Sequence, residues 1–527
     1  MSTVKEQTEE PPPPVAAGIR PSWMTDRLFG EGCAGVHRGA GRLERHAAGQ
    51  VIALAPCAPS PVVPVPACVP ADVGGAIAEA RVAQREWARL PLAWQDEMLD
   101  LIQWETGQAR CHAWQEVLQV ANIAWRSARR VTRYLSRRRM RGMVADVAKV
   151  REVRVPKEGV GVVLPWKCPL SFGVGDVFPG LLARHAVVSK ADDPTALTVL
   201  RTWGLLDEEG LPAGTWRVVG SSPVGAVDVV CFTGSTTIGR GAAKRAARRL
   251  VGCSLERRRK NPLIVRADVD LAAAVADTGT GTGSDSDSAA IANAGQMGDH
   301  LEYVSVHEQV CDIFRDRLLR AARALPPGRS CDSAVGLGAL ISLARLATVE
   351  AHVGDAAAEG AKGLMGGRAL PAVGPFVHAP TVLEGVTPVM AGRGVETFGP
   401  VVSWYPYATG VETLDRADEG SYGLSASAWS HDTRTAARNA GLVRAGAVDV
   451  DGGAADAVGS VEAGGEGVGC RRVGRRHGTR GILECTRSQA FAVQRLMPLG
   501  LAPGRSPEDF VHRANGRLSL HRRLRVR

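Results

Sequence analysis

The sequence predicts an α/β fold, a parallel sheet with helices packed on both faces, and three observations carry that prediction. Four short apolar runs rich in β-branched residues fall within Lys157–Lys260: Val160–Leu164, Ala186–Ser189, Trp216–Val219 and Val229–Phe232. Longer segments with helical periodicity, Leu170–Ala183 and Ala196–Leu206, lie between them. Strands that alternate with helices build a parallel sheet. Three loops then follow strand ends, PWKCP, KADD and GSTTIG, at the carboxyl edge where ligands bind such sheets.

Taken in order, residues 1–70 contain PPPP and PSPVVPVPACVP with little periodicity, which reads as a disordered or loose start with a strand or two. Residues 71–90 carry helical spacing behind an N-cap-competent Asp72. LPLAWQDEMLDLIQWETGQAR then passes almost directly from one helix into the next, and Glu116–Leu135 reads as a long helix with arginines outward. VADVAKVREVRVP alternates as hairpin strands do. Beyond Lys260 the pattern is a strand and the start of a helix. TGTGTGSDSDS (278–288) interrupts that helix, because Gly, Ser, Thr and Asp do not sustain one. From Tyr303 onward strand and helix signals alternate again, and residues past 499 read as a basic appendix.

Composition excludes several classes. At 527 residues with 45% apolar content, the chain is long enough for two or three domains and a large core. No apolar run approaches the roughly 18 residues of a membrane span. MSTVKEQTEEPPPP is neither a secretory signal nor an Arg-rich transit peptide, so a cytoplasmic protein is expected. The 11 cysteines lack CxxC spacing and predict neither disulfides nor a metal site. A net charge of +10, clustered in arginine runs, could hold phosphates, yet aromatics at 5% are too few for base stacking. Nucleic acid is not an expected partner.

Those loops, followed by NAGQMG (293–298), ETFGPVVS (396–403), YGLSASAWS (422–430) and GRRHGTRGILECT (474–486), resemble in their order the aldehyde dehydrogenase superfamily, nearest the succinate-semialdehyde dehydrogenase type. The resemblance implies a Rossmann-type cofactor domain, an α/β catalytic domain and a small oligomerisation hairpin. On this chain they would be 71–135 with 157–256, then 257–459, and 136–156 with 460–498. It also implies NAD or NADP as cofactor, a small aldehyde as substrate, and a homo-oligomer, dimer or tetramer.

By the same resemblance, Trp166 lines the cofactor, Lys190 bonds the adenosine ribose, and Gly234, Ser235 and Gly239 form a glycine turn that meets the pyrophosphate at a helix N-terminus. Glu396 and Phe398 hold the nicotinamide ribose, and Asp193 influences the choice between NAD and NADP. Catalysis in the family needs a thiolate, an oxyanion donor and a base. The base position holds Glu256. The oxyanion position holds Lys167 in place of asparagine, and the nucleophile position holds Gly298, which has no side chain with which to attack. Arg257, Arg258 and Arg259 replace glycines that would approach the nicotinamide. Cys168 is the candidate stand-in nucleophile. Three readings stay open: an NAD(P)-dependent dehydrogenase of impaired activity, a non-catalytic dinucleotide-binding homologue, and an eroding gene product.

Overall fold

The computed structural model describes residues 47–51, 65–68, 92–140, 148–157, 159–183, 185–209, 211, 215–220, 223–225, 227–256, 260–279, 291–298, 300–328, 333–419, 423, 425–451, 472–474, 478–494, 504 and 506–523. The expected helix over 71–90 and the low-complexity run over 280–288 lie outside these residues.

Two helices, α1 (Leu92–Thr106) and α2 (Arg110–Tyr134), precede the first large sheet. Its parallel strands are β1 (Gly159–Val163), β2 (Ala186–Lys190), β3 (Trp216–Val219), β4 (Val229–Thr233) and β5 (Gly252–Glu256). The order is β5-β4-β1-β2-β3, with Arg472–Val473 pairing antiparallel on β5. Three helices cross over: α3 (Pro169–Leu182), α4 (Ala196–Glu208) and α5 (Thr236–Arg248). The core between sheet and helices includes Val160, Val162, Val174, Phe178, Val187 and Trp216, each buried. Such alternation of β-branched runs and apolar helix faces buries both sides of a parallel sheet.

Two buried glutamates fasten the outer helices to this sheet. Glu105 of α1 accepts from Leu197 N at 2.8 Å, Thr198 N at 2.8 Å and Thr198 Oγ1 at 2.6 Å, so it caps α4 from outside. Glu116 of α2 does the same for α3, accepting from Leu170 N at 3.0 Å and Ser171 N at 3.2 Å. A carboxylate at a helix N-terminus meets orphan N–H groups and the positive end of the dipole. Burial nevertheless pushes the Glu105 carboxyl up to about 7, against the hydrogen bonds that lower it.

The second sheet has seven strands, six of them parallel. The parallel strands are β6 (Asn261–Val265), β7 (Leu301–His307), β8 (Thr381–Glu384), β9 (Val401–Tyr407), β10 (Ser425–Trp429) and β11 (Ala447–Val450). Lys362–Met365 adds an antiparallel edge to β8. After β6 a helix, Leu271–Gly279, ends where the Gly/Ser/Thr/Asp run begins. Ala148–Pro156 pairs antiparallel with both Arg138–Met140 and Thr486–Gln494 in a third, three-stranded sheet.

The basic appendix contains a 17-residue helix, Pro507–Arg523. Ser506 Oγ accepts from Asp509 N at 3.1 Å, and Glu508 and Asp509 occupy the first turn, an N-terminal signal that the arginine run masks. No helix among the described residues is long and apolar enough to cross a membrane.

Candidate active site

The carboxyl ends of β1, β2, β4 and β5 open into a cleft of about 350 Å³. Trp166, Lys167, Lys190, Gly234, Ser235, Glu256, Glu396 and Phe398 line it. These come from five separate stretches of sequence, and the strand ends gather them at the point where the sheet order reverses beside β1.

At the β4–α5 turn, Gly234 has φ +155°, and a Cβ there would lie 2.9 Å from the Phe232 ring. Ser235 caps α5, its side chain accepting from Ile238 N at 3.3 Å. The start of α5 therefore faces the cleft, a site suited to an anion. Gly239 sits elsewhere than the sequence suggests. It is buried in the first turn of α5 and its N–H donates to Ser235 O at 2.9 Å, so it is not on the cleft wall. Asp193 is likewise displaced. It pairs with Lys190 at 3.1 Å, while its neighbour Asp192 lines the cleft. Burial raises the Asp192 carboxyl, with Lys190 acting in the opposite direction. Arg245 and Arg345 also line the cleft, and nothing local in the sequence marks them. Arg257, with Arg258 and Arg259, lies outside the described residues.

Trp166 meets Phe398 edge to face, centroids 5.4 Å apart. Phe398 adopts φ +52°, a region costly for a bulky residue. Glu302 of β7 holds it there, accepting from Phe398 N at 2.9 Å and Thr397 N at 3.1 Å. Glu302 is in turn paired with Lys260 at 2.6 Å, both side chains buried. Burial opposes charge on Glu302, yet Lys260, His300 and the backbone donors hold its carboxyl below the usual range.

The loop that ends on Gly298 is built with comparable care. Asn293, Ala294 and Gly295 all have positive φ, at 47°, 51° and 70°. A Cβ on Gly295 would sit 1.9 Å from Gly399 O, so only glycine fits. Gln296, fully buried, donates to Ala339 O at 3.1 Å and accepts from Ile341 N at 3.0 Å. Asn293 N donates to His112 Nδ1 of α2 at 3.3 Å. Strained residues fixed this firmly mark functional loops. At the end of the loop stands Gly298, half-buried.

Across from it, Cys168 begins α3 at φ +45° and places Sγ 3.8 Å from Met297 Sδ. Its thiol is buried and absent from the cleft lining. Lys167 reaches the cleft instead. Its Nζ lies 3.8 Å from Glu256 Oε1, with the two side chains 11% and 5% exposed. The ammonium also stands 5.1 Å from the Phe172 ring and 5.9 Å from that of Phe398. No cluster of metal-ligating side chains occurs among the described residues.

Comparison with known proteins places this geometry. The profile of the "Aldehyde dehydrogenase family" matches residues 44–491. "Putative succinate-semialdehyde dehydrogenase [NADP(+)] 2" of Mycobacterium tuberculosis is 37% identical over 461 residues, covering 83% of this chain and 88% of the relative. The Mycolicibacterium smegmatis protein named "Putative succinate-semialdehyde dehydrogenase [NADP(+)]" is 37% identical over 466 residues, with coverage of 83% and 88%. Among solved structures, an NAD-dependent aldehyde dehydrogenase from Sinorhizobium meliloti superposes with a TM-score of 0.78 at 28% identity, covering 88% of this chain and 94% of that one. Succinate-semialdehyde dehydrogenase from Burkholderia pseudomallei gives 0.77 at 27% identity, covering 85% and 95%. With its two parallel sheets, its cleft at the strand ends and its strained loop over Asn293–Gly298, the chain belongs to the aldehyde dehydrogenase family.

Proposed function

We propose that this protein binds NAD or NADP and a small aldehyde of the succinate-semialdehyde type, and that its thiol-dependent oxidation of that aldehyde is impaired. The observation that carries this reading is the loop over Asn293–Gly298. Its backbone is strained and Gln296 anchors it on two sides, yet it ends on a residue without a side chain. A nucleophile that splits the reaction into two easier steps is missing there.

The cleft suits a dinucleotide. The open start of α5 meets a pyrophosphate, and Ile238, 60% exposed beside Ala242, offers an apolar wall that a flat base would cover. Lys190 and Asp192 would face one ribose, and Trp166, Glu396 and Phe398 the nicotinamide end. When bound, the nicotinamide supplies a hydride acceptor. Asp192 disfavours a 2′-phosphate and Arg245 favours one, so both nucleotides enter the test. Glu256 is the base of this reading.

The proposal assigns 71–135 with 157–256 to the dinucleotide, 257–459 to catalysis, and 136–156 with 460–498 to assembly, and the two large parallel sheets and the three-stranded one support that division. Met140, Phe491 and Val493 are exposed on that last sheet, which supports a homo-oligomer formed through it. A cytoplasmic location is part of the proposal.

The test measures reduced-nicotinamide formation from succinate semialdehyde with NAD and with NADP, on the unmodified chain beside Gly298→Cys. The variant is expected to exceed the parent by at least ~10³-fold, since nucleophile losses cost that much or more. Equal turnover by the two would overturn the impairment. Absence of nucleotide binding by calorimetry would overturn the dinucleotide reading.

A further inference from the structure

Lys167 occupies a position where a lysine does more than lend a positive charge. Its side chain is 11% exposed and still lines the cleft. The Phe172 and Phe398 rings stand 5.1 and 5.9 Å from its ammonium, and Glu256 Oε1 lies 3.8 Å away. That separation is a loose ion pair, within one bridging water of the reach that proton transfer needs. The residue after it, Cys168, touches Met297, the neighbour of Gly298. The lysine loop therefore abuts the loop from which the family's attacking thiol is missing. A desolvated amine, a nearby carboxylate and aromatic walls are the ingredients of a lysine that condenses with carbonyls.

We propose that Lys167 captures aldehydes in this cleft as a Schiff base, with Glu256 moving the protons. The inference rests on the reading that the cleft admits an aldehyde. The step balances without any redox partner. Through one bridging water Glu256 takes a proton from the Lys167 ammonium, and the freed nitrogen lone pair forms a C–N bond to the carbonyl carbon. The C=O π pair moves to oxygen, which is protonated to give a carbinolamine. Water then leaves with the aldehyde oxygen as C=N forms. Two of the three ammonium protons depart in that water, one remains on the iminium nitrogen, and charge is conserved. The iminium that results keeps Glu256 as its counter-ion and the two phenyl rings as its walls.

The full chain is incubated with succinate semialdehyde and cyanoborohydride, which reduces the imine and fixes it. Peptides are then mapped by mass, and NAD and NADP binding is measured calorimetrically on the same preparation. Lys167 is expected to gain the mass of the aldehyde less one oxygen, at least about tenfold faster than exposed Lys244 and Lys362, as a pre-positioned partner should. Glu256→Gln should slow labelling of Lys167 and leave Lys244 and Lys362 unchanged. Lys167→Asn should remove that label alone. Labelling of Lys167 no faster than that of the exposed lysines in the unmodified chain overturns the proposal, however the variants fold. If the nucleotides bind and Lys167 is not selectively labelled, this inference falls and the dinucleotide reading stands. Selective labelling without nucleotide binding has the opposite meaning.

Discussion

Two buried lysine–glutamate pairs sit in this molecule on different terms. Lys260 and Glu302 meet at 2.6 Å with side chains 5% and 2% exposed, and the carboxylate also accepts from Thr397 N and Phe398 N. Lys167 and Glu256 stand 3.8 Å apart on a cleft wall. The first pair is satisfied on several sides and fixes a strained backbone, Phe398 at φ +52°. The second is a longer ion pair whose two members line a cleft. Burial alone does not tell a structural tie from a reactive group. The length of the ion pair and its place, on a cleft wall or in the packed interior, do.

The largest effect expected from breaking this contrast is on stability. Lys260→Met leaves the Glu302 carboxylate buried without its cation, a loss of ~3–5 kcal/mol by analogy with other broken buried pairs. Urea unfolding followed by far-UV circular dichroism would measure it. Because the folded Glu302 carboxyl lies below its ordinary value, its contribution is present above the unfolded value of 4.5 and is lost as pH falls through the folded one. Glu302→Gln should therefore flatten the acid limb of the stability profile. A Lys260→Met protein as stable as the parent would remove the structural role assigned to this pair.

Much of the fold was legible in the sequence because its signals are local. The expected run Val160–Leu164 corresponds to β1, Gly159–Val163, and Leu170–Ala183 to α3, Pro169–Leu182, since β-branched runs and helical spacing report on their own neighbourhood. The glycine turn at Gly234 was visible for the same reason. Contacts between distant stretches left no such mark. Asp192 and Asp193 are equally acidic on paper, and only the turn at the end of β2 decides which faces the cleft. Arg245 and Arg345 are two among many arginines until α5 and the helix Leu343–Ala358 bring them to the wall. Glu105 and Glu116 cap helices they are not part of, so no capping pattern in sequence could show them. The strain at Asn293 and Ala294 was equally hidden, because the bond from Asn293 N to the distant His112 exists only in the folded chain.

His112 sharpens the contrast from another side, as a buried titratable group with no charged partner. Burial alone lowers its imidazole to about 4. Its Nδ1 accepts from Asn293 N, so the proton of the neutral ring is on Nε2, which has no hydrogen-bond partner among the described residues. The unfolded ring titrates near 6.5, so between pH 6.5 and 4 the unfolded chain binds more protons than the folded one. Stability then falls as pH drops across that window, by up to ~3 kcal/mol at its acid end. His112→Phe should flatten that slope in unfolding experiments from pH 4 to 7. In Gly298→Cys, activity should fall only as pH approaches 4, where the folded ring takes its proton and the bond that anchors the Asn293 turn breaks. A slope unchanged by His112→Phe would assign the acid sensitivity to other groups.

The smallest effect is the most informative about Lys167. If its pair with Glu256 is poised for chemistry and contributes little to the fold, Lys167→Met should shift the unfolding free energy by no more than about 1 kcal/mol, the scale of a pair that solvent can still reach. The separation of 3.8 Å and the position on the cleft wall both point to that small value. Methionine keeps a flexible apolar chain of similar length and removes the charge, so lost packing does not mask the result. Measured beside Lys260→Met under the same denaturant, the two variants compare lysines 11% and 5% exposed whose ion pairs differ in length. A Lys167→Met loss as large as that of Lys260→Met would make the cleft lysine another structural tie. Its loop would then have exchanged a donor for a brace, and the proximity of Glu256 would carry no chemical meaning.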